Sequence, residues 1–259
     1  MRPITSAVAA LALIFGLSFG TSADRAEAAE AVAPPSLDWE FHGLFGNFDR
    51  GSAQRGLEVY KQVCASCHGL DLVPYRALTG IGLSPDQVET LAETYEVQTC
   101  CTDEGEPFTR PAKPADRFVS PYPNPQAARF ANNGALPPDL SLLEKARIGG
   151  ADYLHAVLTG YKEEPPEGVE LMPGMYWNEY FPGHQIAMPP PLIEGAVTYS
   201  DGTEATVDQQ ARDIVTFMAW AAEPTLEERK ETGIKVLLFL IVLTAFLYAL
   251  KRKIWSDVH

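Results

Sequence analysis

Five consecutive residues, Cys64-Ala65-Ser66-Cys67-His68, carry the most specific chemistry in the chain. Two thiols three positions apart on a turning backbone point the same way, and an imidazole follows at once. This C-x-x-C-H order is the attachment signature of c-type haem. The sulfurs reach the two vinyl groups on one edge of the porphyrin, and the histidine then lies over the iron. Two other chemistries share C-x-x-C. Zinc needs a second ligand pair at similar spacing, whereas Cys100 and Cys101 are adjacent. A thiol–disulfide protein using Cys64 and Cys67 expects a preceding strand and a βαβ setting, and here a helical pattern leads in. Candidates for the sixth position on iron are Met172, Met175, Met188 and Met218, or a second histidine among His42, His155, His184 and His259. Met218 falls on a helical stripe and reads as core. Met188 precedes Pro189-Pro190-Pro191 and Met172 precedes Pro173. Proline pins such loops extended and removes backbone donors, which suits a segment lying on an apolar face. Spacing alone does not choose between these two.

The elements that must position these groups are mostly helical. Ala53, Leu57, Tyr60, Cys64 and Cys67 share one helical face, so a helix opening at Gly51-Ser52 should run into the motif. Ser84-Pro85-Asp86-Gln87 is a capping box with proline at the first helical position, ahead of a Val88, Leu91, Ala92, Tyr95 stripe. A short helix is expected over residues 139–147, stopped by Gly149-Gly150, and another over residues 152–159, ended by Gly160. Thr206-Val207-Asp208-Gln209 caps a helix carrying Ala211, Ile214, Val215, Met218 and Ala222, with Pro224 as the stop. Residues 197–207, broken at Asp201-Gly202, give the one fair hairpin signal. Residues 107–125 hold six prolines and, like residues 161–191, read as long loop. Helices this short need help to build a core, and a large apolar cofactor would supply it.

The two ends set the topology. Arg2, an apolar stretch over residues 7–19 and the small-x-small Ala26-Glu27-Ala28 read as a cleaved secretory signal, residues 1–28. The stretch is short for a retained anchor. Asp24 and Glu27 argue against a mitochondrial transit peptide. Residues 236–250 hold no charge, and residues 233–250 suffice to span a bilayer if Lys235 snorkels. Lys251, Arg252 and Lys253 follow, as expected on the cytoplasmic side. The expected organisation is thus a signal (1–28), a domain outside the cytoplasm (29–232), a transmembrane helix (233–250) and a cytoplasmic tail (251–259). The 259 residues carry 20 basic and 34 acidic side chains, a net charge of −14, which argues against nucleic acid and for a cationic partner. Residues 160–231 alone hold 14 acidic against 4 basic side chains, a net of −10, around the Met188 loop.

Longer stretches carry a resemblance. They are Val59-Tyr60 through His68; Tyr122-Pro123-Asn124-Pro125; AARFANNGALPPDLS over residues 127–141; Leu158-Thr159-Gly160-Tyr161; NEYFPG over residues 178–183 with residues 186–190; residues 220–224; and the basic end of the last helix. In these the chain resembles the cytochrome c1 family, the haem c subunit of the quinol:cytochrome c oxidoreductase (cytochrome bc1) complex, in its bacterial form. The resemblance implies a mainly α, class I-like cytochrome c domain with long loop insertions, plus one C-terminal transmembrane helix. It implies one covalent haem c on Cys64 and Cys67, with His68 and Met188 as axial ligands and Arg129 near a propionate. It also implies electron transfer from a Rieske iron–sulfur protein to a cytochrome c, beside cytochrome b, in a dimeric complex of the bacterial inner membrane with the haem domain periplasmic. Such a chain is a redox subunit rather than a catalyst on its own. A stand-alone membrane-anchored cytochrome c or oxidase subunit shares the haem but not the setting. The Cys100-Cys101 pair departs from the family pattern; two thiols, a vicinal bridge and an intermolecular bridge are all open.

Overall fold

The computed structural model describes residues 32–101 and 105–256; the expected signal, its cleavage site and His259 lie outside them. Asp49 opens the first helix, α1 (Arg50–Gln62), by accepting the Gly51 amide at 2.8 Å. Its inward face holds Ser52, Ala53, Gly56, Leu57, Val59 and Tyr60. The predicted capping box forms α2 (Pro85–Glu93), with both reciprocal Ser84–Gln87 bonds made. Thr206 caps α5 (Val207–Ala222), accepting the Gln209 amide at 3.1 Å, and the helix stops before Pro224 as expected. α5 is buried along most of its length and packs against both α1 and α4 (Gly150–Thr159).

The α1–α5 crossing is unusually close. A Cβ built on Gly56 would fall inside the van der Waals shell of the Asp213 carbonyl and lie 2.6 Å from the Phe217 Cβ. Across this contact the fully buried Asp213 carboxylate accepts Ser52 Oγ at 2.7 Å, Arg55 Nε at 3.0 Å and Gln209 Nε2 at 3.0 Å. A buried carboxylate is tolerated only when satisfied in this way. The apolar core continues through Tyr60, Tyr75, Phe118, Phe217 and Trp220, with the Tyr75 and Phe118 rings 4.5 Å apart.

Four expectations are corrected. α1 ends at Gln62, so Cys64 and Cys67 sit beyond the helix, in a 3-10 turn over Cys64–Ser66 and the residue after it. Residues 139–147 form a chain of turns: the Leu143 amide bonds back to the Leu140 carbonyl and the Ala146 amide is shared between the Leu142 and Leu143 carbonyls, so three- and four-residue spacings mix and no continuous helical ladder builds. Gly149, at φ +90°, opens α4 rather than ending a preceding helix. The hairpin at 197–207 does not form, since α1 side chains take its backbone: Gln62 bonds Thr198 on both sides and Glu58 accepts the Ser200 amide. Strands occur instead after α2 and within the proline-rich loops. β1 (Glu96–Thr99) pairs antiparallel with β2 (Phe108–Pro111), Glu96 opposite Pro111; β3 (Tyr176–Trp177) pairs with β4 (Gln185–Ile186). Cys100 and Cys101, at the end of β1, are joined to each other. A short helix, α3 (Pro125–Ala131), is capped by Asn124.

The last helix, α6 (Leu226–Ile254), extends the expected span at both ends to 29 residues, about 43 Å at the usual rise. It is long and apolar enough to cross a membrane, and the apolar window is exposed all round. Its first turns belong to the folded domain: Glu227 accepts Arg50 Nη2 at 2.6 Å. Lys251, Arg252 and Lys253 fill its last turn.

Candidate functional site

The turn after α1 brings three of the predicted groups together. The Cys67 and His68 amides both bond the Cys64 carbonyl, at 3.1 and 2.9 Å. In a 3-10 turn residues three apart eclipse, so Cys64 and Cys67 emerge on one side. Both are free thiols. Tyr60, buried in α1, donates its hydroxyl to the His68 carbonyl at 3.1 Å and ties the turn to the helix. Burial pushes the Cys64 thiol up to about 12. That is the opposite of what a thiol–disulfide nucleophile needs.

His68 is oriented from the far side of the domain. Its Nδ1 lies 2.7 Å from the Pro138 carbonyl oxygen. A carbonyl only accepts, so Nδ1 carries the proton and Nε2 keeps its lone pair free for a metal. Burial lowers the pKa of the ring, which also favours the neutral, ligating form. The Pro138 segment is itself pinned: Asp139 accepts the Asp71 amide at 2.7 Å, and Ser141 Oγ accepts the Leu72 amide at 3.1 Å.

Met188 lies two residues beyond β4, in a bend just before the three prolines. Its carbonyl accepts the Tyr161 hydroxyl at 3.1 Å. Tyr161 follows α4 and forms an isolated antiparallel bridge with Asn178. Asn178 is wholly buried and acts as a hub. It donates to the Val157 carbonyl at 2.8 Å, and its side-chain oxygen accepts the Tyr180 and Phe181 amides at 3.1 Å each. The β3–β4 loop is closed by the Asn178 amide on the His184 carbonyl at 2.9 Å, with the Trp177 and His184 rings stacked 4.8 Å apart. Among the other ligand candidates, Met218 is buried in α5, and His155 is buried in α4 with Nε2 2.9 Å from Asp208. Met172 is exposed, its amide held by Gln185.

Arg129 is on α3, exposed, with Nη1 on the Gly134 carbonyl at 3.0 Å. Among the described residues it makes no ion pair. It stands nine residues before Pro138 in the stretch that orients His68, free to meet an anionic group.

The donor set fits a covalent haem c. It offers two unpaired thiols on one side of a turn, an imidazole with Nε2 free, a thioether on a proline-stiffened segment and an unpaired guanidinium. No group of three or more His, Cys, Asp or Glu among the described residues is placed to hold a bare metal ion. Pro138, Tyr60, Tyr161 and Asn178 were not read as functional from the sequence. All four lie in stretches that carried the family resemblance, but only the fold reveals what each one bonds.

Comparison with known proteins agrees. The model of the cytochrome c1 family matches residues 39–258. The chain is 46% identical over 257 residues to cytochrome c1 of Rhodospirillum rubrum, covering 93% of this chain and 94% of that one. It is 49% identical over 242 residues to a mitochondrial cytochrome c1 heme protein of Solanum tuberosum, covering 93% and 92%. It is also 45% identical over 279 residues to a protein named cytochrome b/c1 of Bradyrhizobium diazoefficiens; the match takes in all of this chain but only 41% of that longer protein. With the motif, its supporting bonds and a match over most of its length, the chain belongs to the cytochrome c1 family.

Proposed function

We propose that this chain is the haem-bearing electron-transfer subunit of a quinol:cytochrome c oxidoreductase, a cytochrome bc1 complex. It would take single electrons from a Rieske iron–sulfur protein and pass them to a cytochrome c. The observation that carries the reading is the Cys64–His68 turn with His68 Nδ1 on the Pro138 carbonyl. Cys64 and Cys67 would hold one haem c by thioether bonds, and His68 and Met188 would supply the two protein ligands to its iron. When bound, haem supplies a reversible one-electron couple, and a thioether ligand raises its potential. The chain's own residues do the rest. Pro138 fixes the histidine tautomer and Tyr60 fixes the turn. Tyr161 holds the Met188 segment and is itself bridged to Asn178, so that with His68 and Met188 both engaged a bound haem would offer substrate no open site. Arg129 meets a propionate.

The topology we infer is a signal removed near residue 28, a periplasmic domain to residue 232, an inner-membrane span over 233–250 and a basic cytoplasmic tail. The relative whose name joins b to c1 supports cytochrome b as the neighbour, in a complex that is dimeric in this reading. Acidic side chains in residues 160–231 favour a basic acceptor, with Asp213 excepted because it is buried.

Intact mass of the mature chain with a redox-difference spectrum tests the reading. A haem adduct is expected, with a ferric spectrum carrying the weak sulfur-to-iron band of His/Met haem. Met188→Leu should keep the adduct, lose that band, lower the midpoint potential and stop quinol-driven cytochrome c reduction. An unmodified mass would instead favour a thiol–disulfide protein. An unaltered band in the variant would move the axial ligand elsewhere.

A further inference from the structure

Between the buried rings of Phe41 and Phe48, 5.3 Å apart, the chain turns through a short loop that exposes two consecutive apolar side chains. Leu44 is 58% exposed and Phe45 77%. Single exposed apolar residues are ordinary, but this loop is built to present its pair. The His42 amide bonds the Trp39 carbonyl at 2.9 Å, and the Asn47 amide bonds the Glu40 carbonyl at 3.1 Å. Asn47 Nδ2 holds the Phe45 carbonyl at 3.1 Å. Gly46 has no room for a Cβ, which would lie 2.6 Å from the Glu40 carbonyl and closer still to that of His42. Gly43 takes φ +73°, a conformation side chains disfavour.

The loop is clamped onto the start of α6. Lys230 Nζ donates to the carbonyls of both Phe41 and Gly46, at 2.8 Å each. Glu227 accepts the Phe48 amide at 2.8 Å and Arg50 Nη2 at 2.6 Å. Both α6 residues are thus spent on holding this loop. The proposed span starts at Gly233, three positions after Lys230, a rise of about 4.5 Å along the helix. The headgroup region of a bilayer is about 5–8 Å deep on each side of its hydrocarbon core. A loop bonded at Lys230 therefore sits at the level of the interface, where aromatic and apolar side chains partition.

We propose that residues 42–47 form a membrane-contacting loop, with Leu44 and Phe45 inserted among lipid headgroups and upper acyl chains beside the α6 span. The inference rests on reading α6 as a membrane span. Its physical role is to fix the tilt of the domain on the bilayer at a second point, since one helix alone leaves rotation about its axis free.

The test uses the full-length, haem-loaded chain in lipid nanodiscs, and again the intact complex. Leu44→Cys, Phe45→Cys and Phe239→Cys are each labelled with a bimane fluorophore, with the unsubstituted chain labelled alongside to subtract any signal from Cys100 and Cys101. Emission is compared in lipids brominated near the top of the acyl chain and in aqueous iodide. Positions 44 and 45 should lose emission about twofold in brominated lipid and change little with iodide, as expected for interfacial insertion. Quenching by iodide but not by brominated lipid would overturn the proposal. So would shielding from both quenchers only in the intact complex, which would assign the pair to a neighbouring subunit. Position 239 separates the two levels: if it too is reached by iodide and not by lipid, the span reading fails, whereas lipid quenching at 239 alone sinks only the loop.

Discussion

Replacing Gly56 by Ala adds one methyl group where α1 and α5 cross most closely. A Cβ there would sit 2.6 Å from the Phe217 Cβ and inside the shell of the Asp213 carbonyl. Ordinary carbon contacts begin near about 3.5 Å, so α1 and α5 must part by roughly 1 Å. Neither contact is the far end of a flexible side chain, and neither can swing away. Overpacking of this kind costs about 1–3 kcal/mol. Separation also stretches the bonds that Ser52 and Arg55 make across the gap to the buried Asp213. Hydrogen bonds to charged groups contribute about 1.5–3 kcal/mol, so even partial loss adds to the cost. Alanine is the better helix former by about 1 kcal/mol, which offsets part of this. The net expectation is a loss of about 2 kcal/mol, or roughly 4–8 °C in melting temperature for a domain of this size. Gly51→Ala is the control: it lies at the start of the same helix, its nearest neighbours are side-chain atoms at 3.3 and 3.5 Å, and its effect should stay within about 0.5 kcal/mol. Thermal melts of the detergent-solubilised chain, followed by circular dichroism and haem absorbance, read both. A Gly56→Ala melting point at or above that of the parent chain would refute the close crossing, because only the propensity gain would then be acting.

Tyr161→Phe removes the hydroxyl that holds the Met188 carbonyl while keeping the ring. It should weaken the sulfur-to-iron band and speed binding of added imidazole without changing the haem mass, read by stopped-flow absorbance. Cys67→Ala leaves a single thioether, and intact mass together with a denaturing haem stain should show attachment weakened or lost. Burial lowers the folded-state pKa of His155, while Asp208 opposes that shift. Below about pH 6.5 the unfolded chain therefore binds the proton first, and stability falls as pH drops from about 7 to 5. Melting temperatures across that window should show the slope, and His155→Gln should flatten it.

Much of this was legible because it is local chemistry. The Ser84 capping box and the Pro224 stop each depend on residues within one turn of one another, and each appears where the spacing puts it. What failed depended on competition from elsewhere in the fold. The hairpin at 197–207 had a sound turn at Asp201-Gly202, but Gln62 and Glu58 reached its backbone first. Residues 139–147 had helical composition, yet the segment closes only isolated turns at Leu143 and Ala146, with its Leu140 amide spent on the Gly69 carbonyl. The same holds at the site. Periodicity could name Met188 as a candidate beside Met172, but not show that Tyr161 holds one of them. Pro138 was visible as part of a family stretch, but its carbonyl contact with His68 spans 70 residues and leaves no periodic trace.

The two proposed iron ligands hang from different parts of the chain, and α5 is what relates them. His68 follows α1, which packs against one side of α5. Met188 is held by Tyr161, at the end of α4, which packs against α5 as well. Downstream of Met188 the chain is tied to α5 again: the buried Gln210 donates to the Ile193 carbonyl at 2.8 Å and to that of Ala205 at 2.7 Å. The Met188 segment is therefore fixed before and after the three prolines, and both fixings refer to one rigid helix. An electron-transfer site benefits from this arrangement because its ligand distances should not change with oxidation state. Substitutions along α5 should accordingly disturb the Met188 segment even though none of its residues touches the Cys64–His68 turn through a hydrogen bond. Gln210→Leu, which keeps the volume but frees the 193 and 205 carbonyls, isolates that effect: the sulfur-to-iron band should broaden or fall while the covalent attachment stays intact.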